Sequence, residues 1–176
     1  QAQMTYSMAN DFGGGRVNFF ITGNSSIKDA LDLKLISPVN AGNGNFASKG
    51  QTISDSYSIA QNIFRLVGKN KIDFVLIGLT ADVLFCESEE NLTAGVFDKN
   101  FQALNDYIKL CLDNGAKPVG VIFPVAPALR NNYRKNFLEP FLDILSEFER
   151  LRNFQVINFF DFELTAENFF DATHLN

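Results

Sequence analysis

The run Ile72-Asp73-Phe74-Val75-Leu76-Ile77-Gly78-Leu79 constrains this chain more than any other stretch. It is apolar almost throughout and does not alternate, the pattern of a strand buried on both faces. Such strands belong to parallel sheets covered by helices. The same pattern recurs at Val17-Asn18-Phe19-Phe20-Ile21-Thr22, at residues 119–123 between Pro118 and Pro124, and at residues 156–160. A short fifth strand is expected at residues 45–47, after a Gly/Asn-rich loop over residues 40–45.

Between these runs the period changes to that of a helix. Ile53, Tyr57, Ala60, Ile63, Phe64 and Val67 recur at spacings of three and four, and Gly68 follows them as a stop. Phe97, Phe101, Leu104, Ile108, Cys111 and Leu112 define a second helix over residues 96–113, ended by Asn114-Gly115. Phe137, Phe141, Ile144, Leu145, Phe148 and Leu151 define a third, and a short helix is expected from Ile27 to Leu33. Strands alternating with helices of this length make right-handed βαβ units. The expected fold is a three-layer α/β/α sandwich with about five parallel strands.

Length and composition agree with one domain. A chain of 176 residues, 46% apolar and carrying 19 Phe, can bury a full core without a linker or repeat. Residues 1–16, ending in Gly13-Gly14-Gly15, read as a flexible lead-in, with a single domain over 17–176. The net charge of -5, with no Lys/Arg run, argues against nucleic acid or an anionic membrane as partner. Cys86 and Cys111 are too few for a disulfide framework and lack metal-ligand spacing; with a single His, neither a metal nor another cofactor is expected. No stretch has transmembrane length. The chain opens on Gln1 rather than Met, so removal of a leader or membrane anchor is expected. It ends two residues after its only His, so a trimmed C-terminus is expected too.

Chemistry concentrates where the strands end. In a parallel α/β sheet, ligands collect at the carboxyl ends of the strands. The first strand stops in Gly23-Asn24-Ser25-Ser26, which presents Ser25 as a candidate nucleophile. A serine hydroxyl needs a base to take its proton and a third group to orient that base. His174 is the one imidazole available, and Asp171 precedes it by three residues, close enough along the chain to hold one ring nitrogen. Acyl transfer also needs donors for the developing oxyanion. Ser25 N–H is one candidate, Gly50 after the second strand is another, and Thr80 at the end of the third strand is the third. All fall on one rim of the expected sheet.

Other patterns fail on context. Gly42-x-Gly44-x-x-Ala47 fits a dinucleotide fingerprint, but no strong strand precedes it and Gly50 interrupts any helix directly after it. Lys49 precedes Gly50, the wrong order for a phosphate loop. Asn24-Ser25-Ser26 and Asn91-Leu92-Thr93 are glycosylation sequons by pattern only.

With these residues in place, the chain resembles the SGNH/GDSL hydrolases. Gly23-Asn24-Ser25-Ser26 is similar to their Gly-Asp-Ser-Leu nucleophile block, Gly50 falls at their second-block glycine, and Asp171-Ala172-Thr173-His174 matches their terminal Asp-x-x-His block. The resemblance implies a flavodoxin-like fold and a triad of Ser25 as nucleophile, His174 as base then acid, and Asp171 orienting it. Ser25 N–H and Gly50 N–H would form part of the oxyanion hole. Two positions depart from the pattern. Asn24 stands where the family usually has Asp. Thr80 stands where its third block, Gly-x-Asn-Asp, supplies an oxyanion Asn. The resemblance implies a small-molecule or glycan ester as substrate, and export or surface attachment in a bacterium. An esterase, an O-acyltransferase acting on cell-surface polysaccharide, and a catalytically weak binding module on the same fold all remain open at this point.

Overall fold

The computed structural model describes residues 16–24, 42–80, 94–128, 130 and 138–169. Five strands form one sheet: β1 (Val17–Thr22), β2 (Gly42–Asn45), β3 (Ile72–Leu79), β4 (Lys117–Ile122) and β5 (Gln155–Asn158). Among the described residues, the helices α1 (Ile53–Val67), α2 (Ala94–Asp113) and α3 (Glu139–Arg152) lie between strands β2 to β5, and a 3-10 turn follows at Ala166–Asn168. All pairings are parallel and the order is β2-β1-β3-β4-β5. This is the flavodoxin-like order, and its switch point lies between β1 and β3, where the chain reverses its direction across the sheet. The expected α/β fold with a parallel five-stranded sheet is what the chain adopts. The short helix expected from Ile27 to Leu33 lies outside the described residues.

The strands that carry apolar runs form the sheet's interior. Phe20, Val75, Ile77 and Leu79 are fully buried and join Ile63 and Phe64 of α1, Leu104, Tyr107 and Ile108 of α2, and Phe141 and Leu145 of α3 in one core. Phenylalanine does much of the filling. Phe20 meets the rings of Phe46 and Phe64 edge-on at 6.0 and 5.8 Å, and Phe101 of α2 meets Phe148 of α3 at 4.8 Å. A smaller cluster of Ile21 and Ala47, with Phe19, Leu76 and Phe123 against it, is separate from this core. Cys111 is fully buried in the main core, and that burial pushes its thiol far up from the ordinary value. It serves as a small apolar side chain. Cys86 lies outside the described residues.

Local signals fix α1 well. Thr52 accepts from Asp55 N at 3.1 Å while Asp55 Oδ2 accepts from Thr52 N at 3.0 Å, a reciprocal box that satisfies the first free donors of the helix. Gly68 closes it, donating its N–H to Phe64 O at 2.9 Å.

β2 differs from expectation. The strand lies over Gly42–Asn45, inside the stretch read as a loop, and not at 45–47. Gly-Asn-Gly-Asn has no strand pattern of its own; it is held by pairing to β1, with Phe20 opposite Gly44 and Ile21 opposite Asn45. The ladder direction continues past it, as Phe46 N donates to Ile21 O and Ser48 N to Gly23 O. β4 begins two residues earlier than expected and includes Pro118, paired opposite Val75. The missing N–H is tolerated there because β5 starts to pair only at Val119. β5 ends at Asn158, whose side chain takes the N–H of Phe160 at 2.9 Å.

Candidate active site

Three chain segments meet the switch-point rim of the sheet: the residues after β1, the loop from β2 into α1, and the end of β3. Because β1 lies between β2 and β3, its carboxyl end is flanked by both of the others. Gly23 leaves the strand with φ +147°, a conformation glycine adopts far more readily than other residues. Its carbonyl accepts from Ser48 N at 3.0 Å, which ties the exit from β1 to the loop after β2.

That loop is braced from below. Gln51 N donates to Ser48 O, Ser48 Oγ donates to Gln51 Oε1 at 3.0 Å, and Gln51 Nε2 donates to Ser56 Oγ of α1 at 2.8 Å. Gln51 and Ser56 are buried. This chain of side-chain hydrogen bonds ties the turn to the first turn of α1. Gly50 sits at the loop's exposed outer corner with φ +71° and open space where a Cβ would stand. Among the described residues its N–H has no hydrogen-bond partner, which leaves it able to donate to a ligand.

The end of β3 carries Thr80, half-buried. Asn24 Nδ2 donates to Thr80 Oγ1 at 3.0 Å, so the residue before Ser25 is joined across the switch point to the proposed third oxyanion donor. Two residues upstream, Thr22 hydrogen-bonds Tyr107 of α2 at 2.8 Å, with both side chains fully buried. Burial raises the Tyr107 hydroxyl well above its ordinary pKa, with the neighbouring Cys111 adding to the rise and the bond to Thr22 partly opposing it. The phenol is a neutral fastener for β1, not an acid or base.

Of the residues singled out from the sequence, Gly50 and Thr80 lie on this rim. Ser25, Asp171 and His174 lie outside the described residues. Sequence reading missed the partners Tyr107, Gln51 and Ser56. A signal existed for two of them: Ser56 and Tyr107 are polar-bearing positions on the apolar stripes of α1 and α2, where an unmatched hydroxyl would be costly. Among the described residues no three His, Cys, Asp or Glu side chains gather as a metal site, and no helix is long and apolar enough to cross a membrane.

No family model matches the chain, and no curated protein matches its sequence. Solved structures do. A GDSL-like lipase from Bacteroides thetaiotaomicron superposes with a TM-score of 0.66 at 14% identity, over 99% of this chain and 87% of that one. A member of the lipolytic G-D-S-L family from Veillonella parvula gives 0.65 at 10% identity, over 91% of this chain and 90% of that one. LAE5, an alpha/beta hydrolase enzyme from the metagenome of Lake Arreo, gives 0.55 at 12% identity over 92% and 88%. The resemblance read from short sequence blocks is thus joined by a likeness of fold, and the fold of this chain is the one shared by GDSL-type lipolytic proteins.

Proposed function

We propose that this chain is a serine hydrolase that cleaves carboxylic esters through Ser25, His174 and Asp171. In this reading Ser25 Oγ attacks the ester carbonyl carbon as His174 takes its proton, and Asp171 holds the resulting imidazolium. The tetrahedral oxyanion is met by the N–H groups of Ser25 and Gly50 and by the Thr80 hydroxyl. Collapse breaks the bond to the alcohol, which leaves with the proton from His174. Water, deprotonated by His174, then attacks the acyl-serine and releases the acid.

The observation that carries the reading is the Asn24–Thr80 hydrogen bond at the switch point. It joins the nucleophile block to the third block, two segments that sequence resemblance alone had set 56 residues apart. The braced loop around Gly50 and the fold shared with lipolytic proteins support it. A short acyl group on a carbohydrate is the substrate class to try first.

A fluorophosphonate probe tests the reading directly. The folded wild-type protein is expected to label on Ser25 and to hydrolyse p-nitrophenyl acetate, and both activities are expected to vanish in Ser25→Ala. A wild-type protein that melts cooperatively yet neither labels nor turns over substrate would sink it. Adding an oligosaccharide acceptor to the same assay separates hydrolysis from acyl transfer by whether acetate appears in water or on the sugar.

A further inference from the structure

We propose that Asn24 sets the polarity of the Thr80 hydroxyl, so that Thr80 donates its proton to the oxyanion; the inference rests on the hydrolase reading above. A hydroxyl has one O–H to give and lone pairs to receive. Asn24 Nδ2 donates to Thr80 Oγ1 at 3.0 Å, so that bond occupies a lone pair and leaves the O–H for another acceptor. Both side chains are half-buried at the rim, where a donor acts with less competition from water.

The residue type at position 24 decides this. A carboxylate there would be acceptor-only, and its charge would draw the Thr80 proton into a charge-assisted bond. The oxyanion would then face lone pairs. A carboxylate at position 24 with a carboxamide at position 80 would solve the same problem the other way, because a carboxamide has two N–H groups, one for the carboxylate and one to spare. This chain departs from that pattern at both positions, and its two departures are the two ends of one hydrogen bond. They form one compensated change. Asn24 is a positioning residue and Thr80 the donor it aims.

The test compares wild type with Asn24→Asp, Thr80→Val, Thr80→Ser and the double variant Asn24→Asp/Thr80→Asn, reading kcat and KM for p-nitrophenyl acetate and the Tm of each. Asn24→Asp keeps the shape and the hydrogen bond but reverses its direction. It is expected to lower kcat about 100-fold, as loss of an oxyanion donor does, with KM and Tm little changed. Thr80→Val should fall as far, and Thr80→Ser should recover most of that loss. The double variant should regain about tenfold or more over Asn24→Asp, because its carboxamide again has a spare N–H. Should Asn24→Asp melt early, the Val and Ser variants at position 80 decide the matter alone. Wild-type kcat in Asn24→Asp or Thr80→Val, or a double variant no faster than Asn24→Asp, overturns this inference while leaving ester hydrolysis through Ser25 intact. A folded wild type that neither labels with fluorophosphonate nor cleaves the ester overturns both.

Discussion

Two hydrogen-bonded pairs hang from the end of β1, two residues apart, and they have different fates. Thr22 bonds Tyr107 at 2.8 Å with both groups sealed from solvent. Asn24 bonds Thr80 at 3.0 Å with both half-exposed. The residue types are similar, but Thr22 is still in the pleat and points into the layer formed by α2. Asn24 lies past Gly23, where the chain has turned out of the strand. The sealed pair is cut off from any ligand by its burial and can only fasten. The rim pair keeps a donor to spare and can act on something from outside. What separates a structural hydroxyl from a candidate catalytic one is its distance past the strand end.

The contrast can be broken first through stability. Tyr107→Phe leaves the Thr22 hydroxyl buried without its partner and is expected to cost about 1–3 kcal/mol in urea unfolding. The double variant Thr22→Val/Tyr107→Phe should recover much of that, since removing both partners leaves nothing unsatisfied. A neutral Tyr107→Phe would show that water reaches Thr22 and that the pair is not sealed.

A smaller effect is expected in alkali. Burial raises both Tyr107 and Cys111, so the folded state keeps protons that the unfolded chain gives up. Their contribution to stability is complete below the unfolded values, about 8.5 for the thiol and about 10 for the phenol, and is lost as pH rises beyond them. Tm measured from neutral pH upward should decline in two stages, and Tyr107→Phe should flatten the second. An identical second stage in that variant would remove Tyr107 from the account.

The smallest effect belongs to the opposite end of β1. Arg16 donates to Asp73 through Nε at 2.9 Å and Nη2 at 2.5 Å, and that hydrogen bonding holds the carboxyl below its ordinary value. The lowered value means that the pair stabilises above the ordinary carboxylate range and stops doing so as pH falls through the folded value. Arg16 is largely exposed, so solvent screens the pair, and Asp73→Asn should move Tm less than Tyr107→Phe does. A larger shift would mean that this end of the sheet depends on the ion pair.

How much of this was legible beforehand varies by residue. β1 and β3 appear with the bounds their apolar runs suggested, because burial on both faces writes itself into consecutive side chains. The start and stop of α1 are written in Thr52, Asp55 and Gly68, whose effects reach only a few residues. β2 is the opposite case. Gly42–Asn45 is a strand because β1 offers it a ladder, and no local pattern could announce that.

The sequence by itself determined the class of fold, and it placed Gly50 and Thr80 just past the ends of two of its strands. Tertiary structure alone decided the long-range pairings: Thr22 with Tyr107 across 85 residues and Asn24 with Thr80 across 56. Periodicity and capping act over one or two turns of chain, so they can be read from neighbours. Which hydroxyl meets which amide depends on β1 lying beside β3, and that order is set only when the whole sheet assembles.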